Sequence, residues 1–262
     1  MSKPPATLRL DRLLANLGYG SRREIEAMAR RGRISLDSAP QIEADRRIEI
    51  GAGLTERLMI DGEPVDPPPG LVLMVHKPCG VTCSHKEAGP LVYGLLPERW
   101  QRRDPALSTV GRLDKATSGL LLMTDDGGLL HRVIAPKSHV AKRYRATLVH
   151  PLRADAAAIF ASGTLMLDGE TKPLMTARLE RHGPTEASVT VTEGRYHQVR
   201  RMFAALGNHV LGLHREAVGG LGLPSDLAPG AYRVLSAPEI AAIFAAPTVA
   251  SPAASQSEGS DS

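Results

Sequence analysis

Gly111-Arg112-Leu113-Asp114-Lys115-Ala116-Thr117-Ser118-Gly119-Leu120 runs directly into the apolar stretch Leu121-Leu122-Met123. Two glycines bound a polar loop, and the loop feeds a buried strand. A rigid scaffold presents reactive side chains in such places. Asp114 is the candidate catalytic carboxylate of that loop. Beyond Met123, Asp125-Asp126-Gly127-Gly128 reads as a turn by composition.

Outward from this stretch, strand and helix signals mix. Leu71 to Val75 reads as a buried strand, and Ser188-Val189-Thr190-Val191 alternates as a half-buried one. Tyr196 to Leu206 reads as a helix stopped by Gly207. Upstream, Asp66-Pro67-Pro68-Pro69-Gly70 is a linker, because consecutive prolines continue neither a helix nor a central strand. The division expected is a small module over 7–66, a linker over 67–70, a larger domain over 71–246 and a disordered tail over 247–262. In the module, Leu10, Leu13, Leu14 and Leu17 make a short amphipathic pattern. Ser21 and Glu24 have capping-box spacing before a helix from Arg22 to Arg31, and Arg33 to Asp37 follows as a strand. The fold class is α+β.

A chain of 262 residues that is 42% hydrophobic can bury a substantial core. Only 3% is aromatic, which argues against a protein that stacks many bases along a single strand. Two cysteines cannot form a disulfide framework and point to a reducing compartment. Neither a signal peptide nor an apolar run long enough for a membrane span is present, so a cytoplasmic protein with no membrane partner is expected. His76, Cys79, Cys83 and His85 lack the usual zinc-finger spacing, and no metal is expected.

The net charge of +4 understates the placement of the arginines. Residues 1–66 hold eleven basic and eleven acidic residues, yet seven arginines and three acids lie between Thr7 and Ser35. Two further clusters, His131 to Arg145 and Arg195 to Arg215, contain no acid. Clustered positive charge favours a polyanion, because neutralising phosphates releases counterions. Arg9, Arg12, Arg22, Arg23, Arg30, Arg31 and Arg33 are the candidate set for that polyanion, with Arg23, Arg30 and Arg33 near one helix face.

Read together, GRLDKATSGLLLMTDDG, His76-Lys77-Pro78-Cys79-Gly80, Lys142-Arg143-Tyr144 and Glu193-Gly194-Arg195-Tyr196-His197-Gln198-Val199-Arg200-Arg201-Met202 resemble the ordered motifs of the RsuA-type pseudouridine synthases. The resemblance spans about Leu8 to Phe244. It implies an αL RNA-binding module, like that of ribosomal protein S-four, ahead of a catalytic domain on a mainly antiparallel mixed sheet flanked by helices. It also implies a monomeric isomerase that uses no cofactor and converts one uridine of 16S ribosomal RNA, uridine 516, to pseudouridine, on free RNA or on a small-subunit assembly particle. A 23S ribosomal RNA target and a non-catalytic ribosome-assembly factor are the alternatives.

By the same resemblance Asp114 is the catalytic carboxylate, acting in a largely dry site as nucleophile or base. Arg200 pairs with it, and Tyr144 stacks on the extruded uracil and takes part in the late proton transfer at carbon five. Lys142 is a substrate-binding cation and Val199 an apolar wall. Arg112 enters the helix stack to evict the base. The basic flanks of Tyr144 are expected to line a nucleic-acid groove.

Overall fold

The computed structural model describes residues 6–51, 53–84 and 88–247, which form an α+β fold. The expected tail from Thr248 onward lies outside the described residues, as does His85. Among the described residues no helix is long and apolar enough to cross a membrane.

The first elements are β1 (Ala6–Arg9), α1 (Leu10–Asn16), α2 (Arg22–Arg30), β2 (Ile34–Leu36), β3 (Ala39–Pro40), β4 (Arg47–Ile50), α3 (Leu54–Arg57), β5 (Leu58–Ile60) and β6 (Glu63–Pro64). β1 pairs with β4, and a second small sheet has the order β3-β2-β5-β6. Leu10, Leu13, Leu14 and Leu17 turn one face inward and join Ile25, Ile34, Ile48 and Leu58 in a core of their own. Each such leucine contributes about 1.5–3 kcal/mol by leaving water. α2 opens on a complete capping box: Glu24 N–H donates to the Ser21 hydroxyl, and Ser21 N–H donates to the Glu24 carboxylate at 2.6 Å. It ends at Arg30, one residue short of expectation.

The second set is β7 (Val72–Lys77), β8 (Ser108–Thr109), β9 (Thr117–Thr124), α4 (Gly127–Ile134), β10 (Lys142–Leu148), α5 (Ala156–Ala161), β11 (Arg178–Arg181), β12 (Glu186–Val191), α6 (Gln198–Ala205), β13 (Val210–Val218), β14 (Leu221–Gly222), β15 (Tyr232–Val234) and α7 (Ala237–Ala242). The main sheet runs β11-β12-β10-β13-β9-β7-β15. Its neighbours are antiparallel except β13 and β9, which run parallel. α5 and α6 cover one end, where Phe160 and Phe203 meet edge to face at 5.4 Å.

Three local expectations change. β9 begins at Thr117, so the loop before it is shorter than its two glycines suggest. Gly119 lies inside the strand at φ +110°, and a Cβ there would stand 2.3 Å from the Arg215 carbonyl oxygen. This glycine allows β9 and β13 to approach. The helix expected from Tyr196 starts only at Gln198, because His197 has a left-handed backbone at φ +48°. Asp125 is not a turn residue on the surface. It is buried, accepts from Gly70 N–H at 2.7 Å and pairs with Arg103 at 2.8 Å, two side chains each 1% exposed. Asp126 caps α4 through Gly128 N–H and Leu129 N–H.

The proline segment is flanked by contacts that join the two sets. Asp66 pairs with Arg99 at 2.6 Å, and the Arg99 guanidinium lies 4.4 Å from the Tyr19 ring centroid. Asp104 N–H donates to the Asn16 carbonyl at 2.8 Å. At Gly18 a Cβ would meet the Arg99 carbonyl oxygen at 2.5 Å, so a side chain there would push the two sets apart.

Candidate active site

A cavity of about 940 Å³ opens between the loop before β9, the floor made by β10 and β13, and the segment that enters α6. Asp114, Lys142, Tyr144, Val199, Arg200 and Arg215 all line it, and exposed Arg112 stands with them at the loop. Three of the four sequence motifs, far apart in the chain, therefore line one space.

The loop carrying Asp114 is held by its backbone. Gly80 N–H donates to the Lys115 carbonyl at 2.8 Å, Arg200 Nη2 to the Ala116 carbonyl at 3.0 Å, and Lys77 Nζ to the Thr117 carbonyl at 2.7 Å. Three successive carbonyls are thus bound by groups from β7, the turn after it and α6. This gives Lys77-Pro78-Cys79-Gly80 its physical role. Lys77 is fully buried, and burial pushes its ammonium pKa below the ordinary range, opposed by the nearby Asp114 charge among others.

Arg200 does not pair with Asp114. Its two terminal nitrogens donate to the Ala116 and Val210 carbonyls, each at 3.0 Å. A guanidinium is a donor-only fork, and here the fork spans two backbone oxygens. The group against Asp114 is His197, whose Nε2 lies 3.3 Å from Oδ1. The left-handed backbone of His197 turns its ring back toward the loop, a conformation that spacing alone does not reveal. Tyr196 stacks on His197 with centroids 3.9 Å apart and is 76% exposed. The Asp114 side chain is itself 34% exposed, so the carboxylate meets solvent at the cavity mouth and the dry environment expected for it is absent here.

Along β10 the side chains alternate. Lys142 and Tyr144 face the cavity, with Tyr144 packed between two core clusters. Burial and the charge of Arg215 push the Lys142 ammonium pKa down. Arg143 and Arg145 face the other way, so the expected basic groove beside Tyr144 does not form from them. Arg143 pairs with Glu180 and Glu216, and Arg145 with Glu186 and Glu216. Burial would raise the Glu216 carboxyl pKa, but its arginine partners bring it below the usual range. Arg195 and Arg201, in the third basic cluster, are likewise paired, both with Glu170.

The seven arginines of the first cluster divide. Arg9 and Arg22 share buried Asp11, and Arg33 pairs with Asp61. Arg12, Arg23, Arg30 and Arg31 are exposed, and of these Arg30 has Glu26 at 3.7 Å. Spacing groups Arg33 with the helix face, but in the structure Arg33, though exposed, is held in a bidentate pair with Asp61.

The order of these motifs around one cavity has a match among known proteins. Residues 71–205 match the RNA pseudouridylate synthase family. This chain belongs to that family. It is an RNA pseudouridine synthase. Ribosomal small subunit pseudouridine synthase A of Vibrio cholerae is 38% identical over 237 residues, covering 90% of this chain and all of that protein. The protein of the same name from Escherichia coli K12 is 46% identical over 187 residues, covering 70% and 78% of the two chains. A crystal structure of a pseudouridylate synthase superposes with a TM-score of 0.63 at 35% identity, covering 90% of this chain and 99% of that one. The mixed sheet and flanking helices of this synthase are those expected from the sequence.

Proposed function

We propose that this synthase isomerises one uridine of small-subunit ribosomal RNA, uridine 516 of 16S RNA, with Asp114 as the reacting carboxylate. The observation that carries the assignment of Asp114 is its placement: the carboxylate stands at the mouth of the cavity on a loop whose next three carbonyls are each tied down. The names of the relatives support the choice of RNA.

In this reading the target base leaves the helix stack and enters the cavity, with Arg112 filling the space it vacates. The C1′–N1 bond breaks with its electron pair on the uracil, and the Asp114 carboxylate takes or compensates the positive charge left on the ribose. The uracil turns and its carbon five bonds to C1′. The proton on carbon five is lost, its electron pair restores the ring double bond, and N1 takes up a proton. Tyr144 stacks on the base and serves the proton transfer, Val199 walls the base, and Lys142 adds positive charge to the floor. Arg200 fixes the height of the loop and hence of Asp114. Residues 7–66 form an αL-type module that holds folded RNA by phosphate contacts and shape. Residues 71–246 form the catalytic domain, and the enzyme works as a cytoplasmic monomer on 16S RNA or an assembly particle.

Chemical mapping of pseudouridine in 16S and 23S RNA tests this, in cells lacking the gene and in cells carrying Asp114→Asn. Loss of one 16S pseudouridine in both strains is expected. Persistence of every ribosomal pseudouridine in the deletion strain would overturn the reading, and loss of a 23S pseudouridine alone would move the target to the large subunit.

A further inference from the structure

Arg215 is only 4% exposed, and no carboxylate pairs with it among the described residues. Its Nε donates to the Leu120 carbonyl at 2.7 Å, Nη1 lies 3.4 Å from the Tyr144 hydroxyl, and Nη2 is buried with no hydrogen-bond partner. A buried cation without a counter-charge is costly, and such groups concentrate where a protein does chemistry. Lys142, also on the floor, adds a second cation rather than a partner.

The backbone around Arg215 is fixed on both sides. It is in register with Gly119 of β9 and with Tyr144 of β10. The absence of a Cβ at Gly119 lets β9 lie against the Arg215 backbone, which places Nε on the Leu120 carbonyl. The guanidinium carbon lies 5.9 Å from the Tyr144 ring centroid. A guanidinium offers donors and no acceptor. The Tyr144 hydroxyl oxygen therefore accepts from Arg215, and its own hydrogen points elsewhere.

We propose that Arg215 is a positioning residue. It holds the Tyr144 ring from beneath and aims the hydroxyl hydrogen into the cavity, toward a carbonyl oxygen of the extruded uracil. This rests on the pseudouridylation reading for what fills the cavity. When the C1′–N1 bond breaks, the electron pair left on the uracil spreads over its ring oxygens. The Tyr144 hydroxyl then makes its hydrogen bond to an oxygen gaining negative charge, with the Arg215 cation behind it.

Arg215→Met, Arg215→Lys, Tyr144→Phe and Tyr144→Phe with Arg215→Met are compared with the wild type in single-turnover reactions on 16S RNA. RNA affinity is measured in parallel. Arg215→Met slows isomerisation by about 10- to 100-fold, the loss expected for a hydrogen bond to a charged group. Its RNA affinity stays within about twofold, because the interaction strengthens only as charge develops. Arg215→Lys, which keeps a charged donor, gives an intermediate rate. In the Tyr144→Phe background the Met substitution costs less than about threefold, since the oxygen it acts through is already gone. An undiminished cost in that background, or no cost in either, overturns the proposal. Should Arg215→Met fail to fold, the same cycle is run with Arg215→Lys.

A second readout needs no RNA. In protein labelled with carbon-13 tyrosine, the Tyr144 ring signal is assigned by its loss in Tyr144→Phe. It shifts or broadens in Arg215→Met, and an unchanged signal overturns the Arg215–Tyr144 pairing. A wild-type enzyme inactive on every ribosomal RNA overturns the parent reading instead, so the two failures are told apart.

Discussion

The two faces of β10 and β13 treat the same residue types in opposite ways. On the cavity face Lys142, Tyr144 and Arg215 stand together, and the carboxylate of the loop, Asp114, pairs with His197. On the other face Arg143 and Arg145 are neutralised by Glu180, Glu186 and Glu216. A bulge in β13 between the partners of Arg143 and Tyr144 leaves Glu216 outside the pairing, where it can reach both arginines. Cations one residue apart thus have different work. Among the described residues the cavity face holds cations without a carboxylate partner, and the other face uses its charge to hold strands together.

The largest effect falls on the strand contact that both faces share. Gly119→Ala places a Cβ 2.3 Å from the Arg215 carbonyl oxygen in a backbone that L-residues avoid. Thermal unfolding should show a loss of about 3 kcal/mol or no folded protein. A melting curve like that of the wild type would show that β9 and β13 can separate at little cost. Next, Glu216→Gln leaves Arg143 and Arg145 without their shared partner, and denaturant unfolding should show about 2 kcal/mol of destabilisation with unchanged turnover. Lys142→Met should do the reverse, lowering turnover while leaving the melting temperature within a few degrees. If both substitutions changed stability alone, the contrast between the faces would fail.

Acid exposes the structural face more gently. Burial, and then the charge of His76, lowers the pKa of His214, so the folded chain keeps it neutral while the unfolded chain protonates it below its ordinary 6.5. Its contribution is complete above that pH and is lost as pH falls through and below it. Glu216, with its folded pKa depressed, adds a further loss as pH falls below the ordinary 4.5 toward its folded value. Melting temperature should therefore begin to fall below pH 6.5, and His214→Gln should move that onset to lower pH. An onset unmoved by His214→Gln would contradict this assignment.

The smallest effect concerns the exposed arginines of α2 and its end. Arg30→Ala with Arg31→Ala should weaken RNA binding and lower the salt slope by about 1.4–1.8, the value for two phosphate contacts, with turnover at saturating RNA retained. An unchanged slope would place the RNA on another surface.

The capping box at Ser21 and the individual strands and helices were legible from spacing and periodicity, while the sheet architecture and the meeting of the motifs were legible only through the family resemblance that the motif order carries. Sequence alone misplaced the charges. Composition counts Arg143, Arg145, Arg195 and Arg201 as free, while their partners Glu170, Glu180, Glu186 and Glu216 arrive from distant strands and loops. The period of two along β10 was the available signal, since it sets Arg143 and Arg145 opposite Tyr144. The partner of Asp114 was hidden for a different reason. A left-handed residue at His197 delays the start of the helix to Gln198 and turns the ring toward the loop, and no pattern of residue types marks that conformation. Arg215 could not be singled out at all, because its lack of a carboxylate partner among the described residues is a property of a three-strand junction and of no residue pattern.

In the proposed reaction the carboxylate on the anchored loop carries out pseudouridylation. Replacing the hydrogen on uridine carbon five by a bond to C1′ releases that hydrogen to water. Purified wild-type protein and Asp114→Asn are incubated with 16S RNA tritiated at uridine carbon five. The wild type should release one equivalent of tritium per RNA, and Asp114→Asn none, with equal RNA affinity and equal melting temperature. Release by Asp114→Asn at the wild-type rate would rule out Asp114 as the reacting carboxylate.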